Sequence, residues 1–311
     1  MRNELIVSNP TTSSKQFTVR RYNSRGSVVR TSDLSIPAMG SFMVPFEKSD
    51  EKSPENGIQE VAPHDESAPY IAVMVRSGVQ QLTSPRTNGR FIHMNYAQSS
   101  SGDTIFARVR HLPAPRAVQY VEVANVTAQV VNVRIKRVGQ TGDARPTIPL
   151  LLVPYETRKL RLSRLLARYD EGVAEISSDT PDSVLVNSVM KHYRNDNRLL
   201  SMKSLLIQET FGDLMYGTYS ARKNLRSVVK VSNLGLTNNP TSVTCYANDG
   251  NVRSYQLNLT PGKLEEVNMR ECFGDSSTGI FEVNSTLTGS LVADVLRFRR
   301  REEITIPQRL R

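Results

Sequence analysis

The sequence predicts an all-β chain of three tandem β-sandwich modules, built from antiparallel strands with very little helix. Two observations carry this. Five strand-like segments recur in the same order three times, at a pitch of about 110 residues, which is the size of one small sandwich. The segments are short, alternate between apolar and polar residues, and are separated by Gly, Pro and Asn turn signals.

The first echo is a strand that runs into an asparagine: Leu5-Ile6-Val7-Ser8-Asn9, Val121-Glu122-Val123-Ala124-Asn125 and Val229-Lys230-Val231-Ser232-Asn233. Its apolar residues lie two apart, and the Asn reads as the start of a turn. The second echo is Phe17 to Tyr22, Val131 to Lys136 and Val243 to Tyr246. In its middle copy Val131, Val133 and Ile135 share one side and Asn132, Arg134 and Lys136 the other, as in a half-buried antiparallel strand. Gly26, Gly139 and Gly250 follow as turn residues, the last within Asn248-Asp249-Gly250, a hairpin signal.

The third echo is broken by proline: Ile36-Pro37 with Val44-Pro45, Leu152-Val153-Pro154-Tyr155, and Leu259-Thr260-Pro261-Gly262. The fourth follows one template, Gly-apolar-x-Glu-apolar, at Gly57 to Val61, Gly172 to Ile176 and Gly279 to Val283. The fifth is a long apolar strand, at Tyr70 to Arg76, Val184 to Tyr193 and Ser290 to Phe298. These echoes divide the chain into modules over 1–112, 113–225 and 226–311.

Residues 79–112 and 195–225 are expected to add a hairpin to the first and second sandwiches. Arg90 to Tyr96 would pair with Thr104 to Arg110, and Leu205 to Thr210 with Met215 to Ser220. The third module carries a short basic tail, Arg300 to Arg311, which either leaves a sheet edge open or folds back over it. An acidic, proline-bearing loop insertion is expected near 47–69, and a single helical turn over Ser163 to Tyr169.

The formal net charge is +10, and the basic residues are spread along the chain, as on a solvated surface. Residues that would contact an anionic partner are Arg134, Lys136, Arg297, Arg299 and Arg301. Aromatic residues are not interleaved with them as nucleic-acid stacking requires, so nucleic acid is disfavoured, and an anionic polysaccharide is left as the other anionic partner beside protein ones. No stretch is apolar and long enough for a transmembrane helix. The N-terminal sequence has no leader pattern, so either the chain is a mature or excised form or it stays in the cytoplasm. Cys245 and Cys272 are compatible with a disulfide or with two buried thiols.

The sequence holds no catalytic constellation with convincing spacing. The chain carries neither a Gly-x-Ser-x-Gly elbow nor a phosphate loop. His64, His93, His111 and His192 lie too far apart in sequence for a local zinc pair, and no Cys-x-x-Cys exists. Glu47, Asp50, Glu51 and Glu55 match no calcium-loop spacing. Glu60, Glu175 and Glu282 recur once per module, which favours a structural role over a single paired-acid active site. The expectation is a protein without catalytic residues, metal or cofactor.

The strand-Asn-strand-Gly opening, the proline-broken strand and the Gly-apolar-x-Glu-apolar strand resemble tandem immunoglobulin-like or fibronectin-like repeat modules of bacterial secreted and surface proteins. The resemblance implies an exported structural, adhesive or polymerising role at a cell surface, in the periplasm or outside the cell. Its partners would be further copies of the chain or other surface components, met through module faces or sheet edges. Two other expectations are a glycan-binding array and a component of a virion or phage tail.

Overall fold

The computed structural model describes residues 2–45, 57–67, 69–80, 90–96, 100–101, 104–110, 117–139, 147–161, 171–193, 199–205, 207–208, 213–221, 225–274, 277–299 and 302–303. They form three successive pairs of antiparallel sheets, each pair enclosing its own apolar core.

The first pair is built from β1 (Arg2–Ser8), β2 (Lys15–Tyr22), β3 (Val28–Ile36), β4 (Ser41–Pro45), β5 (Ile58–Pro63), β6 (Ile71–Gln80) and β7 (Arg90–Tyr96). One sheet has the order β4-β1-β6-β7 and the other β3-β2-β5. Leu5 and Val7 from one sheet meet Phe17, Val19, Leu34 and Ile36 from the other, and all six are buried. Alternation explains this, because every second residue of β1 and β2 points inward.

The second pair contains β8 (Ser100–Ser101), β9 (Thr104–Arg110), β10 (Ala117–Asn125), β11 (Val131–Gly139), β12 (Ile148–Leu152), β13 (Thr157–Arg161), β14 (Glu171–Ser178), β15 (Val184–Tyr193), β16 (Leu199–Leu205) and β17 (Ile207–Gln208). Its sheets run β13-β10-β15-β16, with β8 also on β15, and β12-β11-β14-β9-β17. The third pair contains β18 (Leu214–Ser220), β19 (Leu225–Asn233), β20 (Asn239–Ala247), β21 (Val252–Leu259), β22 (Leu264–Asn268), the single-turn helix α1 (Arg270–Phe273), β23 (Thr278–Ser285), β24 (Leu291–Arg299) and β25 (Glu302–Glu303). Its sheets run β22-β19-β24-β25 and β18-β23-β20-β21.

The proline-broken echo has a topological meaning. In each module the strand before the break lies in one sheet and the strand after it in the other: β3 to β4, β12 to β13, and β21 to β22. The crossing turn places Met39, Tyr155 and Gly262 at φ of 53°, 56° and 74°. The left-handed conformation is rare for Met and Tyr, so the turn is held by its surroundings rather than by local preference.

Three sequence expectations are corrected. Neither added hairpin forms. β7 does join β6, but β9 pairs along its length with β14 of the second sandwich. Likewise, within the expected Leu205 to Thr210 strand, β17 pairs with β9, while β18 pairs with β23 of the third sandwich. Alternation fixes which face of a strand is apolar, not which edge it joins, and the edges of β14 and β23 offered free backbone groups. The acidic insertion narrows, because β5 occupies residues 58–63 of the expected 47–69 and pairs with β2. Among the described residues of the tail, β25 folds back and pairs with Phe298 and Arg299. The expected helical turn at Ser163 to Tyr169 and the carboxylates at 47–55 lie outside the described residues.

Candidate functional site

The recurring asparagine builds the site. Asn9, Asn125 and Asn233 are each buried to within 1% exposure at the end of the first strand of their module. Each backbone N–H donates across the fold, to the carbonyl of Gly40, Glu156 or Lys263. The Asn125 Nδ2 group reaches the carbonyls of Gln129, Leu152 and Val153 at 2.7, 3.2 and 3.0 Å, and its Oδ1 accepts from the Thr127 N–H at 2.8 Å. Asn9 repeats the set on Ser13, Ile36, Pro37 and Thr11. Asn233 repeats it on Thr237, Leu259 and Gly235. One side chain thus ties the opening turn to the sheet-crossing turn, satisfying carbonyls that water does not reach.

The clamped turn is the surface on which the preceding module docks. At the first junction the Tyr22 and Tyr155 rings stack at 4.2 Å with an interplanar angle of 15°. Ile58 and Tyr22 of the first sandwich pack with Ala124, Val126, Tyr155 and Leu185 of the second. The Thr157 N–H donates to the Ser24 carbonyl at 3.1 Å, and Arg25 bridges Glu156. Gly26, at φ 82°, sits so close that an added Cβ would lie 2.0 Å from the Pro154 oxygen. That glycine therefore serves the junction as well as its own turn.

The second junction reuses the positions of the first. Val173 stands where Ile58 stands in its template, Leu234 follows Asn233 as Val126 follows Asn125, and Val292 matches Leu185 in register. Val173, Leu234 and Val292 pack together, joined by Phe106 from β9. A charged contact is added here. Lys230 is 2% exposed, and its ammonium lies 2.6 Å from Glu171 and 2.5 Å from Glu266.

The recurring glutamates are register-matched. Glu60 faces Arg20, Glu175 faces Lys136 and Glu282 faces Thr244. Arg20 and the Tyr22 hydroxyl both donate to Glu60, at 3.2 and 2.7 Å. Burial, then the Glu60 hydrogen bond, raises the Tyr22 hydroxyl well above the usual phenol range. Tyr246 likewise donates to Glu282, at 3.3 Å, and its pKa is raised, first by desolvation. The glycine that opens the template has a steric role. A Cβ on Gly57 would lie 2.1 Å from the Tyr22 oxygen, and one on Gly279 1.9 Å from the Tyr246 oxygen.

The proposed anionic-contact residues are not gathered. Arg134 is exposed on β11, and Lys136 beside it is paired with Glu175 at 3.5 Å. Arg297 and Arg299 lie on β24, in a different sandwich, and Arg301 lies outside the described residues. Cys245 and Cys272 are both buried in the third core and their sulfurs are bonded. His64 is exposed and its ring meets the Thr18 hydroxyl at 2.9 Å. His93 and His192 lie on β7 and β15, and His111 lies outside the described residues. Among the described residues no three His, Cys, Asp or Glu side chains gather as a metal site, and no helix is long and apolar enough to cross a membrane.

The junction residues were not singled out from sequence. Tyr22, Tyr155 and Val126 look like ordinary strand and turn residues there. The one available signal was their recurrence beside the repeated Asn and Gly.

No family model matches the chain, and no curated protein matches it. Among solved structures, the chain is similar to β-glucuronidase 2 of Bacteroides uniformis, covalently bound to cyclophellitol-6-carboxylate aziridine, at 12% identity and a TM-score of 0.13. That likeness covers 66% of this chain and 25% of the glucuronidase, too weak to carry an argument.

Proposed function

We propose that this chain is a non-enzymatic structural or adhesive protein of a cell surface or extracellular assembly, akin to the immunoglobulin-like repeat modules of bacterial secreted proteins. It works by presenting module faces and sheet edges at fixed spacing for multivalent contact. One observation supports this above the rest. Neighbouring sandwiches are joined by the same three positions at both junctions and by a strand laid into the next module's sheet. Fixed spacing is what multivalent contact requires, since effective concentration falls when the sites can drift apart. The disulfide fits an oxidising compartment.

Small-angle scattering on the whole chain tests the reading. One fixed arrangement of the three modules is expected, and Gly26→Ala should loosen the first junction. A wild-type profile that demands independently moving modules would overturn it, as would turnover of a substrate abolished by one point variant.

A further inference from the structure

The first and third sandwiches carry the two halves of the internal junction, each exposed. At the far end of the third sandwich, Tyr246 and Ile280 occupy the positions of Tyr22 and Ile58. Each tyrosine pairs in register with its isoleucine, which follows the close-packed glycine of the same template, and each tyrosine donates to the template glutamate. In the first sandwich this pair is buried against the second, with Tyr22 5% and Ile58 8% exposed. In the third, Tyr246 is 37% and Ile280 51% exposed, with Val252 beside them at 59%.

At the near end of the first sandwich the receiving half is repeated. Met39 holds the left-handed position of Tyr155 in the sheet-crossing turn. Pro10 follows Asn9 as Val126 follows Asn125. Ile71 faces Ser8 as Leu185 faces Ala124 and Val292 faces Ser232. Met39 is 73% exposed, Ile71 55% and Tyr70 38%, and Pro10 is exposed. The same asparagine clamp fixes this turn, so the face is formed before anything binds it.

We infer that a second copy of this chain docks head to tail, with Tyr246 and Ile280 of one copy seated on Met39, Pro10 and Ile71 of the next. The inference rests on the contact reading above and names its surfaces. Both internal junctions pack the positions of Ile280, Pro10 and Ile71 together, and the first adds the positions of Tyr246 and Met39, so the occupant is argued from continuity with them rather than from apolar exposure alone. Tyr246 would meet the Met39 thioether as Tyr22 meets the Tyr155 ring, a favourable sulfur–aromatic pairing. Because the two surfaces differ, the contact is heterologous and adds copies without closing on itself unless the rotation forms a ring.

Two single variants and their mixture test it by light scattering. Ile280→Asp blocks one face and Met39→Asp the other. Both side chains are largely exposed, and Asp tolerates the left-handed backbone at 39, so both variants should keep the wild-type melting temperature. Wild type is expected to grow in mass with concentration. Each variant alone should be monomeric, and the equimolar mixture should double in mass and stop there, since it holds one intact head and one intact tail. Assembly of wild type that persists in both single variants would place self-association on another surface, leaving the contact reading intact and overturning this one. A wild-type chain that stays monomeric up to millimolar concentration would overturn the copy-to-copy contact, while the scattering test of fixed module spacing would still stand on its own.

Discussion

The Lys230 ammonium lies 2.6 Å from both carboxylate oxygens of Glu171, and the two residues belong to neighbouring sandwiches. Lys230 keeps 2% of its side chain exposed and Glu171 10%, so the pair has left water together. Removing Lys230 leaves the Glu171 carboxylate buried without this ammonium, whereas removing Glu171 leaves Lys230 its second partner, Glu266, and removing both Lys230 and Glu171 leaves chiefly a packing problem. Lys230→Met is expected to cost about 3–5 kcal/mol in urea denaturation, and the Lys230→Met/Glu171→Leu double variant to recover most of it. Equal losses in the single and double variants would show that the pair does not couple the modules.

Asn125→Ala should destabilise the second sandwich by about 2 kcal/mol, because it orphans the buried Leu152 carbonyl and the part-buried Val153 carbonyl and Thr127 N–H. Asn125→Asp is expected to be no better, since a carboxylate would point acceptors at carbonyls. The tyrosine stack should fail with it, visible as faster hydrogen exchange at Thr157, whose N–H crosses the junction.

Two glycines separate the steric role from the conformational one. Gly279→Ala drives a Cβ to 1.9 Å from the Tyr246 oxygen and should cost about 3 kcal/mol. Gly250→Ala meets open space and pays only for its φ of 84°, about 1 kcal/mol. Thermal melts of the two variants should rank in that order.

How much of this was legible follows from what period-2 alternation encodes. It shows which face of a strand is apolar, so Val131, Val133 and Ile135 were correctly set inward and Arg134 outward. It is silent on the neighbour a strand selects, so β9 and β18 were assigned to the wrong sheets. The repeated Asn was visible, but a turn-starting Asn and a buried clamp look alike in sequence. The difference lies in carbonyls at 152 and 153, far along the chain. Lys230, flanked by Val229 and Val231, alternates as an outward residue. Only the packing of the second module over that face makes it buried.

The Cys245–Cys272 bond closes a loop of 27 residues. Loop-closure entropy alone predicts about 3 kcal/mol of stabilisation for a loop of this length. Melting under dithiothreitol should therefore lower the third sandwich's transition markedly, and the Cys245→Ala/Cys272→Ala variant should match the reduced wild type. An unchanged melt would mean that the surrounding core holds the fold without the bond.

The Asp65 carboxyl is held down to about 2, chiefly by the Ser67 hydroxyl and then by Lys15. A depressed carboxylate contributes stability above its unfolded pKa, near 3.8, and loses it as pH falls through the folded value. Titration of Asp65 by NMR should give a midpoint near 2 that Ser67→Ala raises towards the ordinary value. A midpoint already near 3.8 in the wild type would remove the Ser67 hydroxyl from the account.

The placement of β9 and β18 puts two periodicities of the chain out of phase. The unit that repeats in sequence opens at β10 or β19, but the unit that closes in space opens one strand earlier. A gene duplication or an excision cut at the sequence repeat would deliver a module with the edge of β14 or β23 bare, ready to pair with a stranger. Cut ahead of β9 or β18, the same module would carry its own closing strand. The unit that closes in space is therefore the visible repeat moved one strand upstream, and the second and third sandwiches each owe a hydrogen-bonded edge to the segment before them.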